Sequence, residues 1–502
     1  MTRRQGGTGA GPGAPGGVVL GYLVPEFPGQ THAFFWREVT ALERAGARPV
    51  LVSTRHPRRP AAHPWADAAA ARTTYLADPT ARAAAGVAGV LARAVTTGRW
   101  RAVLREARTA ALAGASGAAG PSGAAGPSGA AGPNEAAGPS EEAGADGAGR
   151  TGEAGGDRSA GAGRPAPALR AAARAAGLTL AAARLAALGR AGGWQHLHVH
   201  SCADAAQVAA LARLLGGPPY SLTLHGPLAD YGGNQRGKWR GATFGLAITA
   251  DLRGELRAAL GPDAPAVVAL APMGVDPDAF ARALPYRPWA GAGPLRLVAC
   301  GRLNPAKGHD DLLRALRLLV DRGLDARLVV LGEDERGGAG HRRDLEALVG
   351  ALGLADRVRL PGAVGEDRVR AELGAAHVFA LASHAEPLGV AVMEALAMEL
   401  PVVVCAGGGV GELVTDGRTG LLVPPRDPEA LAAAVARVAA DPALATALGA
   451  AGRRHVVAGY ASARGARTLL ELVVPATAAP SGAARARAAT VPAPAPAVGG
   501  PR

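Results

Sequence analysis

Three groups of residues have types and spacings suited to chemistry. The first is Gly301-Arg302-Leu303-Asn304-Pro305-Ala306-Lys307-Gly308. Glycines let backbone N–H groups approach an anion, and Arg302 and Lys307 can neutralise a diphosphate from two sides. Of the 54 basic residues only Lys238 and Lys307 are lysines, so a compact ammonium at position 307 suggests that a guanidinium would not serve there. The second group is Glu386-Pro387-Leu388-Gly389, followed by Glu394. Were every residue between them helical, the two carboxylates would stand about 12 Å apart along the axis. That is too far to act on one bond, but it suits one extended ligand held at two points, such as a sugar and a ribose. Gly389, near a helix start, can offer N–H groups to phosphate. The third group is His196, His198 and His200, which alternate and so share one face of a strand. Zinc is one reading of that trio; a buried strand with His200 at its functional end is the other. Asp276-x-Asp278 is open to a metal–nucleotide reading in the same way.

The elements that must position these groups form two series. Residues 18–24 (VVLGYLV) read as a buried strand, 31–45 as a helix and 49–53 as a second strand, a start that favours a parallel sheet flanked by helices. Strands at 196–200, 220–224, 246–249 and 266–270 continue it, with a helix at 203–215. A second series opens at 295. It runs through helix 309–322, the strand LVVLG, helix 341–352, strands near 357–360 and 377–381, helix 389–399 and the strand PVVVC. Two such series imply two Rossmann-like domains with a cleft between them. Ligands of such sheets lie at the C-terminal ends of strands, where the motifs fall. The expected layout is an N-terminal domain in two parts (18–113 and 168–284), a C-terminal domain (285–460) and a C-terminal helix (461–474). Residues 1–17 and 475–502 read as disordered tails. Residues 114–134 carry Gly at every third position, formally a collagen pattern; it is brief, and 114–167 reads as a disordered Gly/Ala/Pro insertion. The Ala-rich segments 81–113 and 166–191 that flank it space their arginines as surface helices do, or as a membrane-surface contact would.

Composition narrows the partners. The chain has 502 residues, a formal charge of +13 and only 4% aromatics, so Ala, Val and Leu must build the cores. The positive balance favours phosphate-bearing partners. The sequence has no dense basic run and its stacking aromatics are scarce, which argues against nucleic acid. Cys202, Cys300 and Cys405 are far apart, which excludes a disulfide scaffold and fits a reducing compartment. No stretch of about 18 residues is both strongly apolar and free of charge. The expectation is a cytoplasmic protein, with an anionic membrane surface on its inner face as a second partner for the basic excess.

Taken together, GRLxxxKG, the Glu-x7-Glu pattern and ELPVVVCAGGGVGELVTDGRTGLLVPPRDPEAL resemble the retaining, nucleotide-sugar-dependent glycosyltransferases of family 4, over roughly 295–460. The resemblance implies the GT-B fold, an α/β architecture of two Rossmann-like domains facing across a cleft. It implies that Arg302, Lys307 and Gly389 hold the donor diphosphate, that Glu386 contacts the donor sugar at the reacting centre, and that Glu394 binds the ribose. Gly407, Gly408 and Gly409 would form a second glycine loop near the donor, and Asp276 an interdomain turn. PEFPGQTHAFFWREVTALERAGARPV resembles the opening of members that build exopolysaccharides, including those of the colanic-acid type; Gly29 and Gln30 would then line the cleft. HLHVHSCADA and SLTLHGPLADY resemble the two histidine-bearing segments of that subgroup, which puts His200 at the cleft and makes His225 the active-site histidine. Two places depart from the pattern: Gly332-Glu333-Asp334 stands where a Gly-x-Gly is usual, and Leu228 where the subgroup has Asp. The implied reaction moves a sugar from a nucleotide-diphosphate sugar to a carbohydrate, lipid-linked or small-molecule acceptor hydroxyl, with no metal and no other cofactor. Competing readings are another nucleotide-sugar enzyme of the same fold (an epimerase), a phosphorylase with a pyridoxal-phosphate lysine, or a non-catalytic membrane-surface protein.

Overall fold

The computed structural model describes residues 17–78, 80–116, 167–334, 337 and 339–478. The first half runs β1 (Val19–Glu26), α1 (Ala33–Arg44), β2 (Arg48–Arg55), α2 (Ala66–Arg72), β3 (Thr74–Tyr75), α3 (Ala81–Thr96), α4 (Trp100–Ser116), α5 (Pro167–Ala191), β4 (His196–Val199), α6 (Asp204–Leu214), β5 (Tyr220–Leu224), α7 (Gln235–Arg240), β6 (Gly245–Ala247), α8 (Ala250–Leu260) and β7 (Val268–Leu270). The second runs β8 (Leu295–Cys300), α9 (His309–Asp321), β9 (Ala326–Leu331), α10 (His341–Ala351), β10 (Val358–Gly362), α11 (Glu366–Ala375), β11 (Val378–Leu381), α12 (Val390–Ala397), β12 (Val402–Cys405), α13 (Val410–Leu413), β13 (Leu421–Val423), α14 (Pro428–Ala440), α15 (Pro442–Gly459) and α16 (Ser462–Ala478).

Each half builds one sheet whose pairings are all parallel. The first has the order β3-β2-β1-β4-β5-β6-β7 and the second β10-β9-β8-β11-β12-β13. Strands covered on both faces read as continuous apolar runs, and β1, β4, β5, β11 and β12 are buried along nearly their whole length. In both sheets the order reverses beside the first strand, at β1/β4 and β8/β11. The crevice past the C-terminal strand ends opens there, as it does in other open α/β sheets.

Local sequence sets the helix starts. Asp427 and Asp441 accept the N–H groups of Ala430 and Leu444, each followed by proline at the first helical position. The halves are tied covalently and by packing. α16 crosses back to lie on α1, burying Ala466, Leu469 and Val473 in the core of the first domain. That core continues through Phe280 into Phe379, Val392 and Met393 of the second domain.

Several boundaries differ from expectation. The segment 81–113 is two helices, because the chain turns at Thr97–Gly98, where Gly98 has φ +70°. α4 extends to Ser116, and the rest of the expected insertion, up to the start of α5 at Pro167, lies outside the described residues, as do residues 1–16 and 479–502 of the expected tails 1–17 and 475–502. α16 runs through Pro475 to Ala478, past the expected end at 474. Among the described helices α5 is, by length and composition, apolar enough to cross a membrane. Its Arg184, however, bonds the Leu76 and Asp78 carbonyls, and Leu178, Ala182, Ala183, Leu185 and Ala186 are buried in the core.

Candidate active site

Lys307 is delivered by the loop after β8. Asn304 accepts the Lys307 N–H at 3.2 Å and closes a single tight turn. Gly308 follows with φ +59°, and a Cβ there would stand 2.1 Å from the Ala382 carbonyl oxygen, so only glycine lets this loop approach β11 so closely. The result is a contact of 2.5 Å between Lys307 Nζ and Glu386 Oε2, both largely buried. Ser383 Oγ donates to the same oxygen at 3.1 Å. Glu386 lies in the loop that opens α12, whose N-cap is Gly389 with φ +93°.

The glycine loop Gly407–Gly409 lies against that segment. Glu386 N donates to Gly407 O at 2.9 Å. A Cβ on Gly408 would come 2.5 Å from Glu386 O, and one on Gly409 2.0 Å from Pro387 O. These glycines therefore hold the Glu386 loop in place by close packing. Arg302 stands on the same β8 loop, where its carbonyl accepts from His309 Nε2 at 3.1 Å. Burial holds the His32 imidazole down at about 4 against the pull of Glu26, with smaller contributions from His63 and the Arg302 charge.

Glu394 has a partner that sequence reasoning missed. Arg37, on α1, reaches across the domain boundary to Glu394 Oε1 at 2.6 Å and Glu366 Oε1 at 2.5 Å. Trp65 Nε1 donates to the other Glu366 oxygen at 2.8 Å, and Phe280 lies under the guanidinium at 4.7 Å. One cation thus serves two carboxylates. Burial raises the Glu394 carboxyl above its ordinary value in spite of Arg37. In the less buried Glu366 the same cation outweighs burial and lowers it. Nothing local marks Arg37 for this role, since its partners lie more than 300 positions away.

The other expected cleft residues fall on the N-terminal side. Gln30 Nε2 donates to the Val364 carbonyl at 2.8 Å while its Oε1 accepts from Ala62 N, so it joins the domains rather than facing open space. The Gly29 carbonyl accepts from His32 N, and a Cβ at Gly29 would strike the His32 ring at 2.5 Å. His200 and His225 follow β4 and β5, with His200 Nδ1 3.2 Å from His225 Nε2. Burial pushes each imidazole down to about 3.

The metal readings fare differently from their spacing. His196 and His198 both turn to Ser221 Oγ, at 2.9 and 2.7 Å, and His198 also meets Thr223 Oγ1 at 2.9 Å. They are thus tied to β5. Asp276 Oδ1 accepts the N–H groups of Asp278 and Ala279, and its Oδ2 meets Arg44, so it caps an interdomain turn. Lys238 Nζ donates to the Cys202 and Tyr231 carbonyls in the core, which gives a pyridoxal-phosphate role no open amine at that position.

A cavity of about 530 Å³ lies between the domains, beside this constellation. Ala385, Glu386, Gly408 and Gly409 line one wall, and Pro227, Thr249, Asp251 and Glu255 the other. The last three were not singled out from the sequence, although they follow β6, and applying the strand-end rule to that strand would have found them. Glu412 of the second domain accepts the Ala250 and Asp251 N–H groups at 2.7 and 3.0 Å, fixing the start of α8 against this wall.

Residues 291–455 match the family model for glycosyl transferases group 1. This part of the chain is a group 1 glycosyltransferase domain. The D-inositol 3-phosphate glycosyltransferase of Streptomyces griseus is 40% identical over 159 residues, 31% of this chain and 34% of the relative. The chain spans between about a third and a half of the length of the curated relatives it matches. Sucrose-phosphate synthase from Thermosynechococcus elongatus superposes with a TM-score of 0.51 at 25% identity, covering 60% of this chain and 78% of that one. A glycosyltransferase from Rickettsia africae gives 0.58 at 14% identity over 91% and 98%, a likeness of fold alone. The two facing parallel-sheet domains are those of the GT-B fold. The group 1 domain holds Arg302, Lys307, Glu386 and Glu394, whereas Arg37, His200 and His225 come from outside it.

Proposed function

We propose that the chain is a retaining glycosyltransferase of family 4 type that moves a sugar from a nucleotide-diphosphate sugar to an acceptor hydroxyl. The observation that carries this reading is the Lys307–Glu386 pair at the edge of an interdomain cavity. A buried ammonium held by one carboxylate is a site that an incoming diphosphate can enter by taking over the cation. Lys307, Arg302 and the start of α12 at Gly389 then hold the phosphates. Glu386, released from Lys307, orients the sugar, and Glu394 binds the ribose. In the reaction the bond from the anomeric carbon to the phosphate oxygen breaks and a bond from that carbon to the acceptor oxygen forms on the same face. The acceptor proton passes to the departing phosphate, whose charge meets Lys307 and Arg302 without reorganisation. The side chains supply this charge themselves, so the reaction should proceed in chelator with no other cofactor.

The acceptor class of this reading is a carbohydrate, lipid-linked or small-molecule hydroxyl in the cytoplasm, with cell-surface polysaccharide as its context; the exopolysaccharide-like opening segment supports that choice. Attachment to an anionic membrane surface is supported by a second observation. Trp100, Leu104, Leu112, Leu169 and Leu180 are exposed on α4 and α5, among the exposed Arg101, Arg105, Arg108, Arg170 and Arg174.

A thermal-shift screen against UDP-, GDP-, ADP- and TDP-sugars tests the reading, because a ligand that binds only the folded state raises its melting temperature. One nucleotide class should stabilise the protein. No stabilisation by any of the four, at concentrations that stabilise a known transferase, would remove the proposal.

A further inference from the structure

The ribose end of the proposed donor site is not built by one domain. Glu394, on α12, is 7% exposed. Its Oε1 accepts from Arg37 Nη2 at 2.6 Å, and no partner for its Oε2 is found among the described residues. Arg37 comes from α1 of the first domain and is equally buried. Its guanidinium is held in place on several sides. Phe280 lies under it at 4.7 Å, and Glu366 Oε1 accepts from its Nε at 3.0 Å and from its Nη2 at 2.5 Å. Trp65 Nε1 in turn donates to Glu366 Oε2 at 2.8 Å. A cation fixed in this way holds Glu394 by one oxygen and leaves the second oxygen for a ligand.

The charge of Glu394 decides what that second oxygen can do. An ionised carboxylate accepts at both oxygens, whereas a protonated one turns an oxygen into a donor. A hydrogen bond to the charged form is also the stronger one. Burial works against the charge and raises the Glu394 carboxyl; Arg37 opposes the rise, Glu366 adds to it and His63 opposes it. Cys300, at the end of β8, meets the same groups. Burial pushes its thiol up to about 12, Glu394 adds to that, and Lys307 and Arg37 oppose it. Lys307 and Glu394 are thus both felt at one thiol, within the span of a nucleoside diphosphate. Among the groups that act on Glu394, Arg37 alone is both a permanent cation and hydrogen-bonded to it.

We propose that Arg37 is a positioning residue of the donor site: from the first domain it holds Oε1 of Glu394, and so presents Oε2 as a charged acceptor to the ribose hydroxyls of the nucleotide. This assignment rests on the glycosyl-transfer reading for its ligand and on the bridge itself for the geometry. Ribose recognition then belongs to both domains, because the carboxylate that makes the contact depends on a cation from across the boundary. Glu366 has a share in it as well. It draws on the same guanidinium, and its negative charge disfavours a second one at Glu394.

The test is a ratio of affinities. The full chain is titrated calorimetrically with whichever of UDP, GDP, ADP and TDP binds it most tightly, and with the dideoxyribose analogue of that nucleotide, from pH 9 down to pH 4.5. Both ligands carry the same phosphates, so the ratio cancels the titration of phosphate and of Lys307. At high pH the wild-type protein should prefer ribose by about 10-fold or more, the scale of a hydrogen bond to a charged group. That preference should be lost as the pH falls through the raised value of Glu394. Arg37→Gln removes the cation, so the loss should come at a higher pH, and Arg37→Lys should restore it toward the wild-type position. Glu366→Gln keeps Arg37 on Glu394 and removes the competing charge, so the loss should come at a lower pH than in the wild type. An Arg37 that only braced the fold would weaken both ligands alike and leave the ratio unmoved. The same pH dependence of the ratio in wild type and folded Arg37→Gln overturns the proposal. Should Arg37→Gln not fold, a Glu366→Gln protein that loses the preference at the wild-type pH or above overturns it instead. Either result leaves nucleotide binding itself intact, whereas failure to bind any of the four nucleotides removes the glycosyl-transfer reading and this assignment together.

Discussion

The two sheets place their functional groups in opposite electrostatic settings. The second domain brings the charged side chains Lys307, Arg302 and Glu386 to βα loops and Glu394 to the helix α12 that follows. The first brings His200 and His225 to the same ends of its strands, as neutral rings that burial holds near 3, inside a shell of Phe34, Phe35 and Tyr22. Ions suit a diphosphate, and neutral hydrogen-bonding rings suit hydroxyls. Arg37, which the first domain extends across the boundary, binds protein carboxylates, and Arg282 binds backbone carbonyls of the second domain.

Acid should separate the two domains most strongly. An imidazole whose folded pKa lies below its unfolded value of 6.5 takes up a proton on unfolding between those two values. Stability is therefore full above about pH 6.5 and falls as the pH drops toward 3–4, by up to about 1.4 kcal/mol per pH unit for each such group. His32, His196, His200 and His225 in the first domain are held at about 3–4, as are His309 and His377 in the second. Glu38 and Glu394 act with the opposite sign, because raised carboxyls stabilise the fold at lower pH. The histidines outnumber them, and most are in the first domain. Hydrogen exchange between pH 6.5 and 4 should show β1, β4 and β5 losing protection before β8, β11 and β12. The reverse order would break the contrast.

Next in size is the boundary itself. Arg37→Met leaves Glu366 and Glu394 buried without a cation, which should cost about 3–5 kcal/mol. Arg342→Met removes a more exposed network with Glu333 and Glu346 inside the second domain and should cost about 1 kcal/mol or less. Denaturant midpoints of the two variants read the difference directly. A smaller effect is expected at Thr249, whose hydroxyl accepts the Leu252 N–H at the start of α8. Thr249→Ala should lower stability by about 1 kcal/mol through the lost cap, which a midpoint shift at unchanged slope would show.

What could be read in advance divides along the same line. The βα series and the charged loops follow from local apolar runs and from residues close in sequence, so 301–308 and 386–394 were legible. The lysine at 307 stood out because arginine fills nearly every other basic position. The Arg37 bridge joins residues whose separation no periodicity encodes; only the packing of one domain on the other brings them together. Thr249, Asp251 and Glu255 were missed although their strand was recognised, because a short strand gives a weak signal and its loop bears no glycine or lysine to mark it. The Gly407–Gly409 loop was legible as glycines but not in its cause. Those residues are small because the backbone of the Glu386 loop lies 2.0–2.5 Å from where their Cβ atoms would be.

The central claim is that Lys307, paired with Glu386, is the cation that takes the donor diphosphate. Calorimetric titration of the stabilising nucleoside diphosphate into wild-type protein and Lys307→Ala measures it most directly. The account predicts that the variant loses about 10²-fold or more in affinity, as removal of a charge-assisted, buried contact does, while its unfolding remains cooperative. Equal affinity in the two proteins would contradict it.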